Sequence, residues 1–222
     1  MMHDLVVLFD VDNTLLNNDR VQADLDVHMS VEHGTAARNR YWEIFETLRG
    51  ELGYADYLGA LERYRLEDLH DPRLLRISNW LVDYPFAERL YPGALDAVRH
   101  ARQFAPVVIL SDGDAVFQPR KVERSGLSRE FDGHVLIYIH KEEELDDVER
   151  LYPAKHYVMI DDKLRILDTM KKIWGDRVTT VFPRQGHYAT DPEILAKYSH
   201  GDIQLNRIKD LVNHDLSDIQ KL

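Results

Sequence analysis

Asp10 and Asp12, in the run Phe9-Asp10-Val11-Asp12-Asn13-Thr14, are the first residues of the chain whose types and spacing suit covalent chemistry. A carboxylate can attack phosphorus and form an aspartyl-phosphate, which splits one difficult displacement into two easier ones. On an extended chain, residues two apart point to the same side. Asp12 is therefore placed to protonate the oxygen that leaves Asp10's target and then to activate water. Ser111-Asp112-Gly113 offers a hydroxyl and the amides of Asp112 and Gly113, a small nest for phosphoryl oxygens. Asp161-Asp162 add two further acids. Four carboxylates gathered at one place repel, and a hard divalent ion such as Mg²⁺ relieves that repulsion while binding phosphate oxygens. The cation and Lys141 would together stabilise charge on a transferring phosphoryl group.

The elements around these residues explain how they would meet. Leu5-Val6-Val7-Leu8-Phe9 is a short apolar run of β-formers that ends in acids, as expected of a strand covered on both faces of a parallel sheet. Similar runs occupy 106–110, 135–139, 156–160 and 178–182. Between them, 93–104, 141–151 and 164–174 carry apolar residues at helical spacing. Alternating strands and helices predict an α/β fold, a Rossmann-like parallel sheet core that binds ligands beyond the carboxyl ends of its strands. Asp10, Ser111 and Asp161 all follow strands, and Lys141 opens the helix after the third. The alternation breaks from about residue 17 to 89, where 38–50, 55–69 and 72–81 read as amphipathic helices. This predicts a core of 1–16 and 90–222 with a helical-bundle cap at 17–89. The tail from Asp202 is expected to form a short strand or loop and a closing helix at 208–212.

Composition narrows the partners. The chain has 222 residues and a formal net charge of −11, which disfavours a nucleic-acid partner because phosphate backbones attract clustered Lys and Arg. There is no cysteine, so thiolate catalysis and disulfides are excluded and a cytoplasmic setting is the simplest reading. The start of the chain lacks the basic lead-in of a signal peptide, and no apolar stretch approaches the roughly 20 residues of a membrane span. A small-molecule phosphate ester is the expected partner.

At these residues the sequence resembles the haloacid dehalogenase superfamily in its phosphatase branch. The family's first motif, Asp-x-Asp-x-Thr after an apolar strand, corresponds to Asp10–Thr14, and its Ser or Thr after a later strand to Ser111. Its Lys corresponds to Lys141 and its acidic pair to Asp161-Asp162. The resemblance implies a helical cap after the first motif. It also implies metal ligation by the Asp10 carboxylate, the Asp12 backbone carbonyl, Asp162, and Asp161 directly or through water. Dehalogenases of the family lack an acid at the position of Asp12, so the resemblance favours phosphate-ester chemistry. One departure concerns the Lys, often followed by Pro in the family but here by Glu142-Glu143-Glu144; Lys163, beside the acid pair, is its rival.

Taken singly, these residues have plainer readings. Asp161-Asp162 suit a helix N-terminus, and Glu142 to Glu144 a solvated helix start. The eleven histidines read as surface or loop residues, with His187 and its neighbours Arg184 and Gln185 on the ligand edge. Arg38, Arg40, Tyr41 and Trp42 are cap residues placed either to contact substrate or to pack. Three other functions share the parts: a phosphomutase, a receiver-like phospho-acceptor, and a silent binding protein.

Overall fold

A computed structural model describes residues 2–67 and 69–217. Six strands form one parallel sheet: β1 (His3–Phe9), β2 (Val107–Asp112), β3 (Val135–Tyr138), β4 (Ala154–Ile160), β5 (Val178–Pro183) and β6 (Ile203–Leu205). Their order is β3-β2-β1-β4-β5-β6. The five expected strands are present, and the sixth lies in the tail, followed by a 3₁₀ turn at Ile208–Asn213. The chain runs outward from β1 to β2 and β3, then returns to β4 on the other side of β1. Neighbouring loops diverge at the carboxyl end of β1, which opens a crevice there. The continuous apolar run of β1 is divided by its pleat: Leu5, Val7 and Phe9 join the core on one face, Val6 and Leu8 the core on the other.

Among the described residues, the insertion after β1 holds four α-helices, α1 (Asn18–His33), α2 (Thr35–Leu52), α3 (Tyr57–Arg65) and α4 (Arg73–Asp83). The last three correspond to the expected helices. The first has a weak sequence signal, because its buried apolar residues are Val21, Leu25 and Met29, while Val27 and Val31 are exposed and blur the pattern. The Asn17 side chain caps α1 by accepting from Arg20 N–H at 2.9 Å. The two crossings between insertion and core run side by side: Asn17 N–H donates to Arg89 O at 2.8 Å and Tyr91 N–H to Leu15 O at 2.9 Å.

The sheet is flanked by α5 (Ala94–Arg102), α6 (Phe117–Arg124), α7 (Leu127–Glu130), α8 (Leu145–Leu151), α9 (Leu164–Trp174) and α10 (Pro192–Lys197). An aromatic series ties α6 to the insertion: Phe117 lies 5.1 Å from Tyr57 and 5.6 Å from Phe86, and Tyr57 lies 4.9 Å from Phe45, ring centre to ring centre. One apolar cluster thus runs from the sheet into the insertion without a break. Two expectations are corrected. The segment 141–151 is a 3₁₀ turn, Lys141–Glu143, followed by α8. Glu142 is buried and ion-paired with Arg165, so only part of the acidic run is solvated. Among the described residues, no helix is long and apolar enough to cross a membrane.

Leu167 is buried on the inner face of α9, within the cluster that includes Met159 and Val178. Leu167→Ala should cost about 2–5 kcal/mol of unfolding free energy. Urea titration measures this, and a loss below about 1 kcal/mol would contradict the packing of α9 described here.

Candidate active site

The loop after β1 is built by its own backbone. Asp10 N–H donates to Ile160 O at 2.9 Å, which extends the β1–β4 pairing to the first acid. The amides of Leu15 and Leu16 both donate to Val11 O at 2.9 Å, curling the chain into a tight loop. Asn13 sits at φ 58, the left-handed region that Asn tolerates. Its Oδ1 accepts from the amides of Asn18 and Asp19 at 3.0 and 3.2 Å, so the loop also anchors the start of α1. Thr14 Oγ1 accepts from Asp162 N–H at 3.0 Å and ties the first loop to the acid pair after β4.

Asp10, Asp161 and Asp162 are all buried, and each brings a carboxylate oxygen within 4.8 Å of the others. Lys141, fully buried, donates to Asp10 Oδ1 at 2.6 Å and to Leu110 O at 3.1 Å, and lies 2.7 Å from Asp161 Oδ2. Burial works against its charge, but Asp10, Asp161 and Asp112 outweigh that and raise its pKa, keeping it an ammonium. Burial pushes Asp161 up to about 6 despite Lys141. Burial, then the charges of Asp161 and Asp10, raise Asp162 well above the carboxylate range. Asp10 Oδ2 and both Asp162 oxygens are buried without a hydrogen-bond partner. An all-oxygen donor set with unsatisfied buried oxygens fits a hard divalent cation.

The Asp12 carboxylate lies outside this trio. Both its oxygens accept from Lys121 Nζ, at 2.6 and 2.8 Å. Ser111 Oγ accepts from Gln118 Nε2 at 2.9 Å. Lys121 and Gln118, both on α6, were missed in the sequence. Their signal is the spacing Phe117, Gln118, Lys121, Val122, which puts two polar side chains on the buried face of a short helix. The nest expected after β2 is revised. Gly113 N–H donates to Tyr138 O at 2.9 Å, so that amide is committed. A side chain at 113 would also strike Gln118 at 2.5 Å. Asp112 acts through its carboxylate, which accepts from Lys141 N–H at 2.9 Å and fixes the lysine loop. Lys163 stands 3.8 Å from the other Asp112 oxygen, so Lys141, not Lys163, is the lysine in contact with Asp10. Asp161 Oδ1 accepts from Lys163 N–H at 2.8 Å, which leaves Lys163 as the residue flanking α9.

A cavity of about 420 Å³ opens over Asp12, Asp112, Lys121 and Lys163. The insertion lines it with Asn18, Gln22, Arg49, Tyr54 and Tyr57. The insertion residues singled out in the sequence lie elsewhere: Tyr41 is core, Trp42 packs against it, Arg38 pairs with Asp26, and Arg40 with Glu43 and Glu67. The segment after β5 does reach the cavity. Gln185 Nε2 donates to Thr14 O at 3.0 Å, His187 N–H to Asp19 Oδ2 at 2.8 Å, and Arg49 donates to Tyr188 Oη at 2.8 Å. Among the other histidines, His33 is buried and His28 stacks on Trp80, so the surface reading fails for these two.

Comparison with known proteins agrees with this geometry. Residues 5–173 match the family model described as hydrolase, haloacid dehalogenase-like hydrolase. A solved structure from Burkholderia xenovorans LB400, assigned to the haloacid dehalogenase-like hydrolases, is 63% identical over 99% of both chains, with a TM-score of 0.94. The L-2-haloacid dehalogenase of Xanthobacter autotrophicus is 18% identical over 96% of this chain and 98% of that one, with a TM-score of 0.61. A magnesium-bound HAD-hydrolase of Bacillus subtilis is 16% identical over 95% and 98%, with a TM-score of 0.63. These last two share the fold. No curated protein matches the sequence significantly. The parallel sheet, the buried acids at its carboxyl edge and the match over residues 5–173 place this chain in the haloacid dehalogenase-like hydrolase family.

Proposed function

We propose that the protein is a Mg²⁺-dependent phosphohydrolase of small phosphate esters that works through an aspartyl-phosphate on Asp10. The observation that supports this most is the buried trio Asp10, Asp161 and Asp162 with its unsatisfied oxygens. A bound Mg²⁺, held by these acids and the Asp12 carbonyl, would neutralise phosphoryl oxygens. Asp10 forms the bond to phosphorus as the bond to the ester oxygen breaks, and the Asp12 carboxyl gives that oxygen its proton. Water then attacks phosphorus and Asp12 takes a proton from it. The bond to Asp10 breaks, and inorganic phosphate leaves with the carboxylate restored. Lys141 holds Asp10 in place and offsets its charge, and Ser111, oriented by Gln118, offers a hydroxyl to a phosphoryl oxygen. The insertion at 17–89 serves as the cap whose residues choose the leaving group.

Dehalogenation is the second reading, because an L-2-haloacid dehalogenase is among the structural neighbours. A halide departs without a proton, whereas an alkoxide needs one, so an acid lining the cavity at Asp12 is useful only for the ester. Phosphate release from a panel of small esters should require Mg²⁺ and stop with chelator. Asp10→Asn should lower the rate at least ~10³-fold. Unchanged turnover in that variant would reject Asp10 as nucleophile. Halide release from 2-haloacids without phosphate release would favour the dehalogenase, and an isomerised ester without free phosphate the mutase.

The acid trio also sets a pH-dependent test. The folded protein holds a proton on Asp161 up to about pH 6, whereas an exposed aspartate releases it near ~4. Between these values the folded state binds more protons than the unfolded one, so stability of the metal-free protein falls as pH rises through that window. Mg²⁺ should therefore raise Tm more at pH 8 than at pH 5, and Asp162→Asn should raise the metal-free Tm at pH 8 and erase most of the Mg²⁺ shift. Equal Mg²⁺ shifts at both pH values would argue against ligation by these acids.

A further inference from the structure

Lys121 is the second lysine buried at this site, and the phosphoryl-transfer scheme leaves it without a task. Its ammonium has three N–H groups, and the structure gives it three acceptors: Asp12 Oδ1 at 2.6 Å, Asp12 Oδ2 at 2.8 Å and Asn18 Oδ1 at 3.0 Å. The Phe117 ring lies 5.2 Å away and closes another side. Asn18 Nδ2 in turn donates to Tyr57 Oη at 3.2 Å, which also accepts from Gln22 Nε2 at 2.9 Å. The series therefore runs from a core acid, through a core helix, to α1 and α3 of the insertion.

We propose that Lys121 is a positioning residue for Asp12, and that Asn18 makes this positioning depend on the insertion. The inference rests on the phosphohydrolase reading above. Charge neutralisation alone would need only a cation somewhere near Asp12. Here both oxygens are engaged by one ammonium, which fixes the rotation and tilt of the carboxyl at the wall of the cavity that Asp12 and Lys121 both line. Asn18 is neutral, so it adds nothing to the charge balance. What it adds is direction: it holds the third N–H and so aims the other two. A long lysine side chain has high rotamer entropy, and complete burial against three acceptors removes it. The acid that must reach the ester oxygen is thereby delivered in one orientation, and insertion helix α1 shares in setting it.

A misplaced general acid is felt in proportion to how badly the leaving oxygen needs a proton. Nitrophenolate leaves unaided, whereas an alkoxide does not. The quantity to measure is kcat/KM, which covers the steps through leaving-group departure and excludes hydrolysis of the aspartyl-phosphate. In Lys121→Met the ratio of kcat/KM for p-nitrophenyl phosphate to that for an alkyl phosphate should rise at least ~30-fold over wild type. Asn18→Ala, a milder change that keeps both charges, should raise it about 3- to 5-fold. Asp12→Asn should show the same selectivity, and adding Lys121→Met to it should change the ratio no further, because the two residues act as one unit. Circular dichroism and a melting curve confirm folding of each variant. A folded Lys121→Met whose two rates fall together would overturn the proposal and leave Lys121 a structural counter-charge. So would a further rise of the ratio in the double variant. If wild-type protein releases phosphate from neither ester, the phosphohydrolase reading itself falls and the positioning role falls with it, an outcome distinct from the other two.

Discussion

Three carboxylates and one ammonium share a space from which water is excluded, and the core of this protein is arranged around that imbalance. Lys141 is paired with Asp10 and Asp161, while Asp10, Asp161 and Asp162 form three mutually repelling pairs. One ammonium offsets at most one of the three charges, so the cluster keeps a net negative charge away from water, and neither close contact of Lys141 reaches Asp162. Protons on Asp161 and Asp162 are one answer, and the raised pKa values show the protein leaning that way. A divalent cation is the other. The imbalance is tolerable only because the backbone cannot relax it. Asp10 and the acid pair end adjacent strands whose register pairs Phe9 with Ile160, and Thr14 Oγ1 binds the Asp162 amide. Lys141 is fixed from the other side by the Asp112 carboxylate and the Leu110 carbonyl. Strand order is thus an electrostatic instrument: it brings β2, β1 and β4 side by side and puts the cation of the β3 loop against the anions of the other two.

The insertion meets this edge through polar groups as well as aromatic rings. One short segment after β5 carries much of that connection. Gln185 holds the Thr14 carbonyl, His187 holds Asp19 at the start of α1, and Tyr188 accepts from Arg49 on α2. Gly186 between them has φ 70, and any side chain there would lie 2.6 Å from Asn13 Cβ. The loop that carries Asp10 and Asp12 is therefore braced on one side by the acid-pair loop and on the other by a segment that also grips the insertion. The cavity lining from the insertion and the loop that carries Asp10 share a scaffold.

Much of this was legible in the sequence, for definite reasons. Buried parallel strands write themselves as unbroken apolar runs, which is why 5–9, 156–160 and 178–182 coincide with β1, β4 and β5 to within two residues. Acids that stop such runs have few purposes, so Asp10 and Asp161-Asp162 stood out. What stayed hidden depends on contacts between distant segments. Helix α1 has one buried residue per turn, too thin a stripe to register. Only its spacing from Phe117 and Val122 on one face of α6 separates Lys121 from a solvated helix lysine; its ion pair depends on Asp12, 109 residues away in the chain and 2.6 Å away in space. Glu142 looked like one of three solvated acids until Arg165 of α9 covered it. The insertion residues at the cavity were misjudged because Tyr41 and Trp42 advertise aromatic surface, yet Tyr41 spends it on the core while Tyr54 and Tyr57 line the opening.

Two lysines in one site, each buried and each bound to an acid of the same motif, show how a single residue type can divide its labour. Lys141 contacts Asp10 through one carboxylate oxygen and leaves Oδ2 without a partner, so the acid keeps an open position for the chemistry. Lys121 engages both oxygens of Asp12 with one ammonium. The first arrangement suits a group that must both hold a cation and form a bond, since it keeps part of its lone-pair capacity uncommitted. The second suits a group that must only pass a proton, for which direction matters more than a free lone pair. Spacing two acids two residues apart places both at the strand end; the helices after β2 and β3 then give each a different neighbour. It is the difference between those neighbours, more than any difference between the aspartates, that would make one a nucleophile and the other an acid.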